Sequence, residues 1–380
     1  RFVMGDDSRQ KNNFGLEDVR SKIDDIDLKI QDLLNERAKC AERVADIKLS
    51  DLTQEASSGI QTNLFYRPER EAQVLRKIAG RNDGPMKSEA LVTIFREIMS
   101  ACLSLEKPLQ ISYLGPQGTF SQAAALKHFG HAVECKPVST IDEVFAHVES
   151  GQSDFGVVPV ENSTEGMVNN TLDNFMDSPL KISGEVEVRI EHHLLVSSLT
   201  KESGISKICA HEQGLAQCRN WLDLNYPRVD RQSLPSNGAA AKLAAENVGI
   251  AAVAGGVAQE EYKLERISSN IEDNGDNTTR FLIVGSSEIP HSGEDKTSIL
   301  VSSRNKPGAL YKILDPFQRS NISLTRIDTR PSRTEKWTYV FFIEFEGHLQ
   351  DDKVKSIMKE LEENSLLLKP LGSYPRSLDW

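Results

Sequence analysis

The chain has 380 residues, too many for one ordinary domain, and this length predicts two or three domains. Its 38% hydrophobic and 27% charged residues are typical of a soluble globular protein, and no apolar run approaches the ~20 residues that cross a bilayer. The net charge of -11 argues against nucleic-acid binding, which needs a basic face. Five cysteines without a CxxC pair indicate free thiols in a reducing cytosol. We therefore expect a cytoplasmic protein with neither a nucleic-acid nor a membrane partner.

The N-terminal region, after a polar tail over residues 1–15, is predicted to be all-helical over 16–106. Apolar residues from Leu16 to Leu49 recur at the three- and four-residue spacing of one helix face. A polar break follows, and two more helices are predicted, one over 68–80 that opens with Pro68 and one over 88–106. A first helix of this length needs a packing partner along its whole length, which favours a helical bundle or an intertwined dimer.

Three basic residues of the first helix, Arg20, Arg37 and Lys48, have an informative spacing. At 100° per residue, Arg37 and Lys48 differ by about 20° around the axis and lie ~16 Å apart, so both can reach one small dianion. Arg20 is ~25 Å from Arg37 and rotated by roughly 100°, so it could reach the same ligand only from another subunit. The alternative interpretation is that all three are solvated charges on an amphipathic helix.

These basic residues, the segment REA and the segment IFREIMSACLSLE resemble the chorismate mutase domain of bifunctional P-proteins. The resemblance implies that Arg37, and Arg20 of the partner subunit, hold substrate carboxylates. It also implies that Lys48 contacts a carboxylate and the ether oxygen, that Glu71 accepts the substrate hydroxyl and that Arg70 supports a carboxylate. The reaction is a pericyclic rearrangement, so catalysis must come from holding the chair-like conformer and stabilising charge on the ether oxygen.

The chain departs from the family on the last helix, where Cys102 and Glu106 stand in place of Ser and Gln. We expect both at the mutase site. An ionised Glu106 would repel the negative charge that develops on the ether oxygen, so we expect it to be protonated in the active enzyme and mutase activity to fall as pH rises. The family's acidic residue before Arg70 has no assigned counterpart, although Arg67 lies near that place.

Residues 110–285 follow a short linker and alternate apolar runs with helical stretches, which predicts a mixed or parallel sheet covered on both faces. Three strand-to-helix junctions carry hydroxyl and amide side chains where free backbone N–H groups can bind anions. The candidates are Thr119 and Ser121; Asn162, Ser163 and Thr164; and Ser236 with Asn237. Several such ends at one cleft would bind a dicarboxylate with few basic side chains, although ordinary capping explains any single one.

The segments GPQGTFS, PVENSTEG and NTTRF, in this order, resemble the prephenate dehydratase domain. The resemblance implies two lobes around a cleft, similar to periplasmic binding proteins, and catalytic roles for Thr279, Arg280 and Phe281. Thr279 would hydrogen-bond the leaving hydroxyl, and Arg280 would lie near a substrate carboxylate. Loss of CO2 and water aromatises the ring, so neither a metal nor an organic cofactor is expected.

Four other polar residues of this region are ambiguous. His192 and His193 do not predict a zinc site, because adjacent side chains of a strand point to opposite faces. His211 opens a segment similar to one beside the family's cleft, and Glu161 is either a cleft acid or a helix cap.

A second linker is predicted over 286–296, and residues 297–375 have the order β-α-β-β-α-β, which is ferredoxin-like α+β. The segments PGALYKIL and TRIDTRPS resemble the ligand motifs of ACT regulatory domains, with Asp328 and Thr329 in place of the usual Glu and Ser. A Gly after Pro307 could also be a simple turn. The resemblance implies a phenylalanine pocket at a dimer interface, formed by Gly308, Ala309, Leu310, Thr329, Arg330 and Pro331.

Together, these resemblances imply a multidomain enzyme that converts chorismate to prephenate and prephenate to phenylpyruvate. We expect a homodimer or larger homo-oligomer that phenylalanine inhibits by binding better to a state whose cleft is closed to turnover. Two alternatives stay open: a phenylalanine-responsive binding protein with a decayed mutase, and an enzyme that uses arogenate instead of prephenate.

Overall fold

A computed structural model describes residues 15–55, 66–303, 306–331 and 339–377. The chain forms two compact units, residues 1–58 and 59–380. The predicted tail lies, apart from Gly15, outside the described residues. Within the described ranges, no helix combines the length and apolar character that crossing a bilayer requires.

The first unit consists of helix α1, Leu16–Glu55. It continues past the predicted break because Leu52, Gln54 and Glu55 all favour helix. At 1.5 Å per residue, its 40 residues span about 60 Å. Its apolar side chains are largely exposed, including Ile23 at 51% and Leu33 at 63%.

The second unit begins with the helices α2, Pro68–Gly80, and α3, Ser88–Glu106, which confirm the predicted bounds. Their apolar faces meet in a small cluster around Leu75, Ile78 and Val92. This pair buries its own apolar residues, whereas α1 in the first unit leaves most of its apolar residues exposed.

The middle of the chain forms an α/β body of two sheets. Its elements in chain order are β1 Gln110–Leu114, α4 Phe120–Phe129, β2 Glu134–Val138, α5 Ile141–Glu149, β3 Phe155–Asn162, β4 Gly166–Met167, α6 Asn169–Asp177, β5 Lys181–Arg189, β6 His193–Val196, α7 Ser198–Ser203, β7 Lys207–His211, α8 Glu212–Gln217, α9 Arg219–Asn225, β8 Asp230–Leu234, α10 Asn237–Glu246, β9 Ile250–Ala254, α11 Gly256–Glu261, β10 Glu265–Ser268 and β11 Thr278–Gly285.

The two sheets define two lobes. The first lobe has the strand order β2-β1-β3-β11-β5, with β4 beside β3, and the second has β10-β6-β9-β7-β8. The chain leaves the first lobe after β5 and returns at β11. The two crossing segments are tied together, because the Ile190 N–H donates to the Asn277 carbonyl at 2.8 Å and the Ile271 N–H donates to the His192 carbonyl at 2.8 Å. This arrangement gives the predicted two lobes around a cleft.

The C-terminal domain has the predicted ferredoxin-like order. Its elements are β12 Asp295–Ser303, α12 Ala309–Arg319, β13 Leu324–Pro331, β14 Tyr339–Glu346, α13 Asp352–Asn364 and β15 Leu367–Pro375, with the sheet order β13-β14-β12-β15.

The C-terminal domain shares a hydrophobic core with the first lobe. Phe342 and Leu371 of the C-terminal sheet pack in the same cluster as Val158, Phe175 and Ile182 of the lobe. A Cβ on Gly372 would lie 2.6 Å from the Ile182 carbonyl oxygen, so the two domains approach at backbone distance. A sheet face buried in this way holds its strands in a fixed position against the lobe.

Candidate active site

The cleft between the two lobes has a volume of about 810 Å³. It is lined by the ends of β1 and β3 and the start of β11 from the first lobe and by the starts of α8 and α10 from the second. Across it, the Gln213 side-chain amide of the second lobe donates to the Glu165 carboxylate of the first. Lining residues include Thr119, Ser121, Asn162, Glu165, His192, His211, Gln213, Gln217, Ser236, Asn237 and Thr279.

Thr279 lies in the cleft at the start of strand β11, beside the end of β3. It pairs in register with Asn162, and the Asn162 Nδ2 donates to the Thr279 Oγ1 at 2.8 Å. Because the hydroxyl oxygen accepts this bond, its own hydrogen is left to donate elsewhere. The pair places one oriented O–H group on the wall of the cleft.

Asn277 holds the loop that carries Asn162, a role that the sequence reasoning missed although the residue begins the NTTRF segment. Its Oδ1 accepts hydrogen bonds from Asn162 Nδ2 at 2.9 Å, Ser163 Oγ at 3.3 Å and Thr164 Oγ1 at 3.3 Å. The side chain of Asn277 is buried. It therefore fixes the loop in the position from which Asn162 reaches Thr279.

The predicted cleft contacts of Ser163 and Thr164 need correction. Neither residue lines the cleft, because both hydroxyls are bonded to Asn277. The predicted helix start at Asn162 is instead a turn: the Asn162 Oδ1 accepts from the N–H groups of Thr164 and Glu165, and β4 follows. Asn favours such turns, since its side chain mimics a backbone carbonyl.

The other two junctions do begin helices at the cleft. Thr119 is the N-cap residue of α4, although its hydroxyl donates to the Leu114 carbonyl at 3.0 Å instead of accepting from the helix. Ser236 caps α10 and accepts from the Ala239 N–H at 3.0 Å. Both helices therefore direct the positive ends of their dipoles at the cleft, and Ser121 lies in the first turn of α4.

Arg280 and Phe281 do not face the cleft, so the contact predicted between Arg280 and a substrate carboxylate is corrected. Successive side chains of β11 alternate in direction, and Arg280 lies on the side away from Thr279. Its guanidinium pairs with Glu185 and Glu344, each at 2.8 Å. Burial works against ionised Glu185, but Arg280 and Lys296 hold the pKa of that carboxyl below its usual range. Phe281 is buried in the core of the first lobe.

Glu161 is neither a cleft acid nor a helix cap. Its carboxylate accepts from Arg326, which lies on β13 of the C-terminal domain.

His192 lies on the crossing segment between the lobes and lines the cleft. Its Nε2 is 2.8 Å from Gln217 Oε1, and its ring packs edge-on against Phe120 at 5.6 Å. Burial lowers the pKa of His192, which keeps the ring neutral. His193 points elsewhere, since its Nδ1 accepts from the Asn270 N–H at 3.1 Å. Gln217 could be noticed from the sequence only through its place in HEQGLAQC, the segment that His211 opens.

The predicted mutase residues are distributed over both units. On α1, Arg20 is exposed, and Arg37 and Lys48 are partly buried. Their assignment to one site remains a prediction for an assembled dimer.

In the second unit, Arg70 is exposed, whereas Glu71 lies against the first lobe in a small cavity with Tyr66, Arg96 and His128. Arg96 Nε is 3.7 Å from Glu71 Oε1, a contact the sequence reasoning did not foresee. On α3, Cys102 is buried and Glu106 is partly buried. Their predicted contacts with substrate likewise remain predictions.

The residues predicted to bind phenylalanine lie on α12 and β13. Gly308 precedes α12 with φ +79°, a conformation that favours glycine, and Leu310 is exposed. Thr329 and Pro331 are exposed on the outer face of β13. Arg330 points the other way, and its Nη2 is 2.9 Å from Asp173 Oδ1 on α6. The prediction that Arg330 lines the same pocket as Thr329 is corrected, because neighbouring strand residues face opposite sides.

Comparison with known proteins finds three family models that match successive regions of the chain. The family model for type II chorismate mutase matches residues 19–107, that for prephenate dehydratase matches 111–289 and that for the ACT domain matches 297–363. The bifunctional chorismate mutase/prephenate dehydratase of Stutzerimonas stutzeri is 53% identical over 363 residues, covering 96% of this chain and 98% of that protein. The protein of the same description from Aquifex aeolicus is 45% identical over 368 residues, with the same shares covered.

A solved structure is also similar. The prephenate dehydratase of Arthrobacter aurescens in complex with L-Phe is 33% identical, with a TM-score of 0.64, covering 70% of this chain and 90% of that one. The identity over nearly the full length of both proteins decides the family. The chain belongs to the bifunctional chorismate mutase/prephenate dehydratases, with a C-terminal ACT regulatory domain.

Proposed function

We propose that the cleft between the lobes is the dehydratase site and that Thr279 assists the departure of the prephenate hydroxyl. The observation that carries this is the Asn162–Thr279 hydrogen bond of 2.8 Å inside the cleft. It orients the threonine oxygen and leaves its O–H to donate to a substrate oxygen. A donor fixed in advance stabilises the negative charge that develops on a departing hydroxide.

The reaction breaks two bonds of prephenate. The bond between the ring and its carboxylate breaks to release CO2, and its electron pair moves through the ring to expel hydroxide from the opposite carbon. The hydroxide takes up one proton and leaves as water, while the ring becomes aromatic. Thr279 hydrogen-bonds the departing oxygen, and the proton that completes the water comes ultimately from solvent.

The carboxylates of the substrate would meet the first turns of α4 and α10. Both helices open on the cleft with 10 residues each, long enough for an appreciable dipole. Ser121 and Ser236 lie in the same turns and can add hydroxyl hydrogen bonds. Backbone N–H groups at a helix start bind anions without basic side chains.

We also propose that the mutase acts in a homodimer in which α1 of a second copy covers the exposed apolar face of α1. Exposed residues such as Ile23, Ile26 and Leu33 support this, because an apolar stripe of this length is buried in a stable protein. Arg37 and Lys48 of one copy would then share a chorismate with Arg20 of the partner subunit. Phenylalanine would bind between ACT domains near Gly308 and Thr329 and inhibit the dehydratase. Free thiols and an acidic composition favour the cytoplasm as its location.

The proposal is tested by substitution of the hydroxyl itself. Thr279→Val keeps the shape but removes the donor, and we expect kcat for prephenate to fall by ~10²–10³-fold with little change in KM. Thr279→Ser is the matched control and should retain most of the activity, and mutase activity should stay at the parent's level in both. Full dehydratase activity of Thr279→Val would refute the assignment. Running the same assay with arogenate tells which of the two substrates the cleft prefers.

A further inference from the structure

Strand β13 of the ACT domain has two faces with different surroundings. Its residues alternate between partly buried and exposed along the whole strand. Thr329 lies on the exposed side, where the allosteric ligand is proposed to bind. Arg326 and Arg330 lie on the other side and pair with Glu161 and Asp173 of the dehydratase domain.

The last two residues of β3 also face opposite sides of the sheet. Glu161 turns towards the ACT domain and pairs with Arg326, whereas Asn162 turns towards the cleft and bonds Thr279. On the neighbouring strand, Arg280 pairs in register with Glu161, and Thr279 pairs with Asn162. One pair of residues on each strand thus connects the regulatory face with the cleft face.

This end of β3 follows an irregularity in the ladder. Arg280 pairs with Glu161 and Phe281 with Pro159, so one residue of β3 is extra at this point. A bulge interrupts pairing and redirects the side chains beyond it. The position of Asn162 therefore depends on local anchors: its direct hydrogen bond to Asn277 at 2.9 Å and, one residue earlier on the strand, the ion pair of the Glu161 side chain.

Arg326 is also linked to Arg280. Both approach the buried carboxylate of Glu344 on β14, Arg280 at 2.8 Å and Arg326 at 3.9 Å. The side chains of Arg326 and Glu161 are only 18% and 30% exposed. Removing one partner of such a pair leaves the other charge poorly solvated, so its neighbours must rearrange.

We propose that Arg326 of the ACT domain is a positioning residue of the dehydratase: through Glu161 it holds Asn162 where it orients Thr279, and phenylalanine acts by disturbing this contact. The second part rests on the proposed phenylalanine site, whereas the first stands without it. The ACT domain is then part of the working dehydratase site as well as its regulator.

The test uses Arg326→Gln and Glu161→Gln in the full chain. We expect either variant to lower dehydratase kcat about tenfold with a smaller change in KM, since the positioning of a transition-state donor is lost and substrate binding is kept. Mutase activity should not change. The double variant should be no worse than Arg326→Gln alone, because Glu161→Gln removes a contact that this variant has already lost. Arg319→Gln is the matched control, because Arg319 forms exposed ion pairs with Asp315 and Glu360 within the ACT domain.

Phenylalanine completes the test. In Arg326→Gln, calorimetry should still detect phenylalanine binding, while the remaining dehydratase activity should no longer respond to it. Parent kcat in both single variants, or additive losses in the double variant, would overturn the positioning role. If Arg326→Gln does not fold, Glu161→Gln removes the same ion pair from the other side and gives the comparison, and Arg326→Lys, which keeps the charge, should retain more of the activity. If phenylalanine fails to bind the parent, the proposed regulatory site is wrong, but the kcat comparison still decides the role of Arg326.

Discussion

At the scale of single residues, the surroundings of Glu71 change the pKa of its carboxyl group. It sits at the contact between α2 and the dehydratase region, with the guanidinium of Arg96 beside it. Burial raises the pKa of Glu71 from an ordinary 4.5 to about 7, and the opposing effects of Arg96 and of a hydrogen bond from Tyr66 only partly offset it. This carboxyl is therefore protonated in slightly acidic solution.

The sign of the pH dependence follows from this shift. Because the folded pKa is above the unfolded one, the native state holds a proton between pH 4.5 and about 7 that the unfolded state has lost. The contribution to stability is complete below pH 4.5 and is lost as pH rises through 7. Since one pKa unit corresponds to about 1.4 kcal/mol, the loss is on the order of 3 kcal/mol.

Glu71→Gln removes the titration and keeps the shape. In scanning calorimetry, we expect the melting temperature of the variant minus that of the parent to be larger at pH 8 than at pH 5. Glu89→Gln, which changes an exposed carboxylate in the first turn of α3, serves as the control, with no such trend expected. An equal offset at both pH values would show that Glu71 is ionised throughout.

Single residues also mark the limit of what the sequence predicts. The segments that carry Thr279 and Asn162 could be recognised, and both residues lie in the cleft. Arg280 and Arg330 lie in equally recognisable segments, but their directions depend on which face of a strand meets a neighbouring domain. That information is tertiary, so the resemblance assigned both residues to ligands, whereas in the structure both form ion pairs between domains.

At the scale of elements, the first turn of α10, in the second lobe, packs against the first lobe. Gly238 follows the cap residue Ser236, and a Cβ there would lie 2.3 Å from the Gln117 carbonyl oxygen. Gln117 belongs to the loop between β1 and α4 of the first lobe. The absence of a side chain at Gly238 therefore allows the two helix starts to approach across the cleft.

Gly238→Ala should force the lobes apart. We expect KM for prephenate to rise about tenfold or more, since overpacking costs ~1–3 kcal/mol and 1.4 kcal/mol is a factor of ten. Gly256→Ala is the matched control: it also lies in the first turn of a helix, but its nearest neighbour is the flexible Arg266 side chain at 3.6 Å. Steady-state kinetics with prephenate measures both. An unchanged KM in Gly238→Ala would mean that the catalytic state is more open than this one.

Elements with strong periodicity were predictable, and the irregular junctions were not. The bounds of α2 and α3 and the order of the ACT elements follow from apolar spacing and from Pro68 at a helix start. The turn after Asn162 was predicted as a helix start, because Asn, Ser and Thr favour both structures. Which structure forms is decided by Asn277, more than 100 residues away in sequence.

At the scale of the whole molecule, each mutase site would combine residues from two copies. A chain with Arg20→Ala keeps its own Arg37, and a chain with Arg37→Ala keeps its own Arg20. Mixed dimers of the two would therefore contain one intact site and one doubly defective site.

Coexpression of the two variants tests this arrangement. Each variant alone should have almost no mutase activity, whereas the coexpressed pair should recover about a quarter of the parent's activity, because half of randomly formed dimers are mixed and each has one good site. Dehydratase activity should be unchanged in all samples. No recovery would place both arginines in one subunit's site, and full activity of Arg20→Ala alone would remove Arg20 from the site.

The most direct test of the account supplies chorismate alone to the Thr279→Val enzyme and follows both products over time. The parent should convert chorismate through prephenate to phenylpyruvate. The variant should consume chorismate at the parent's rate and accumulate prephenate almost completely, because only the second site has lost its hydroxyl donor. Phenylpyruvate formed by the variant at the parent's rate would contradict the assignment of the cleft and of Thr279.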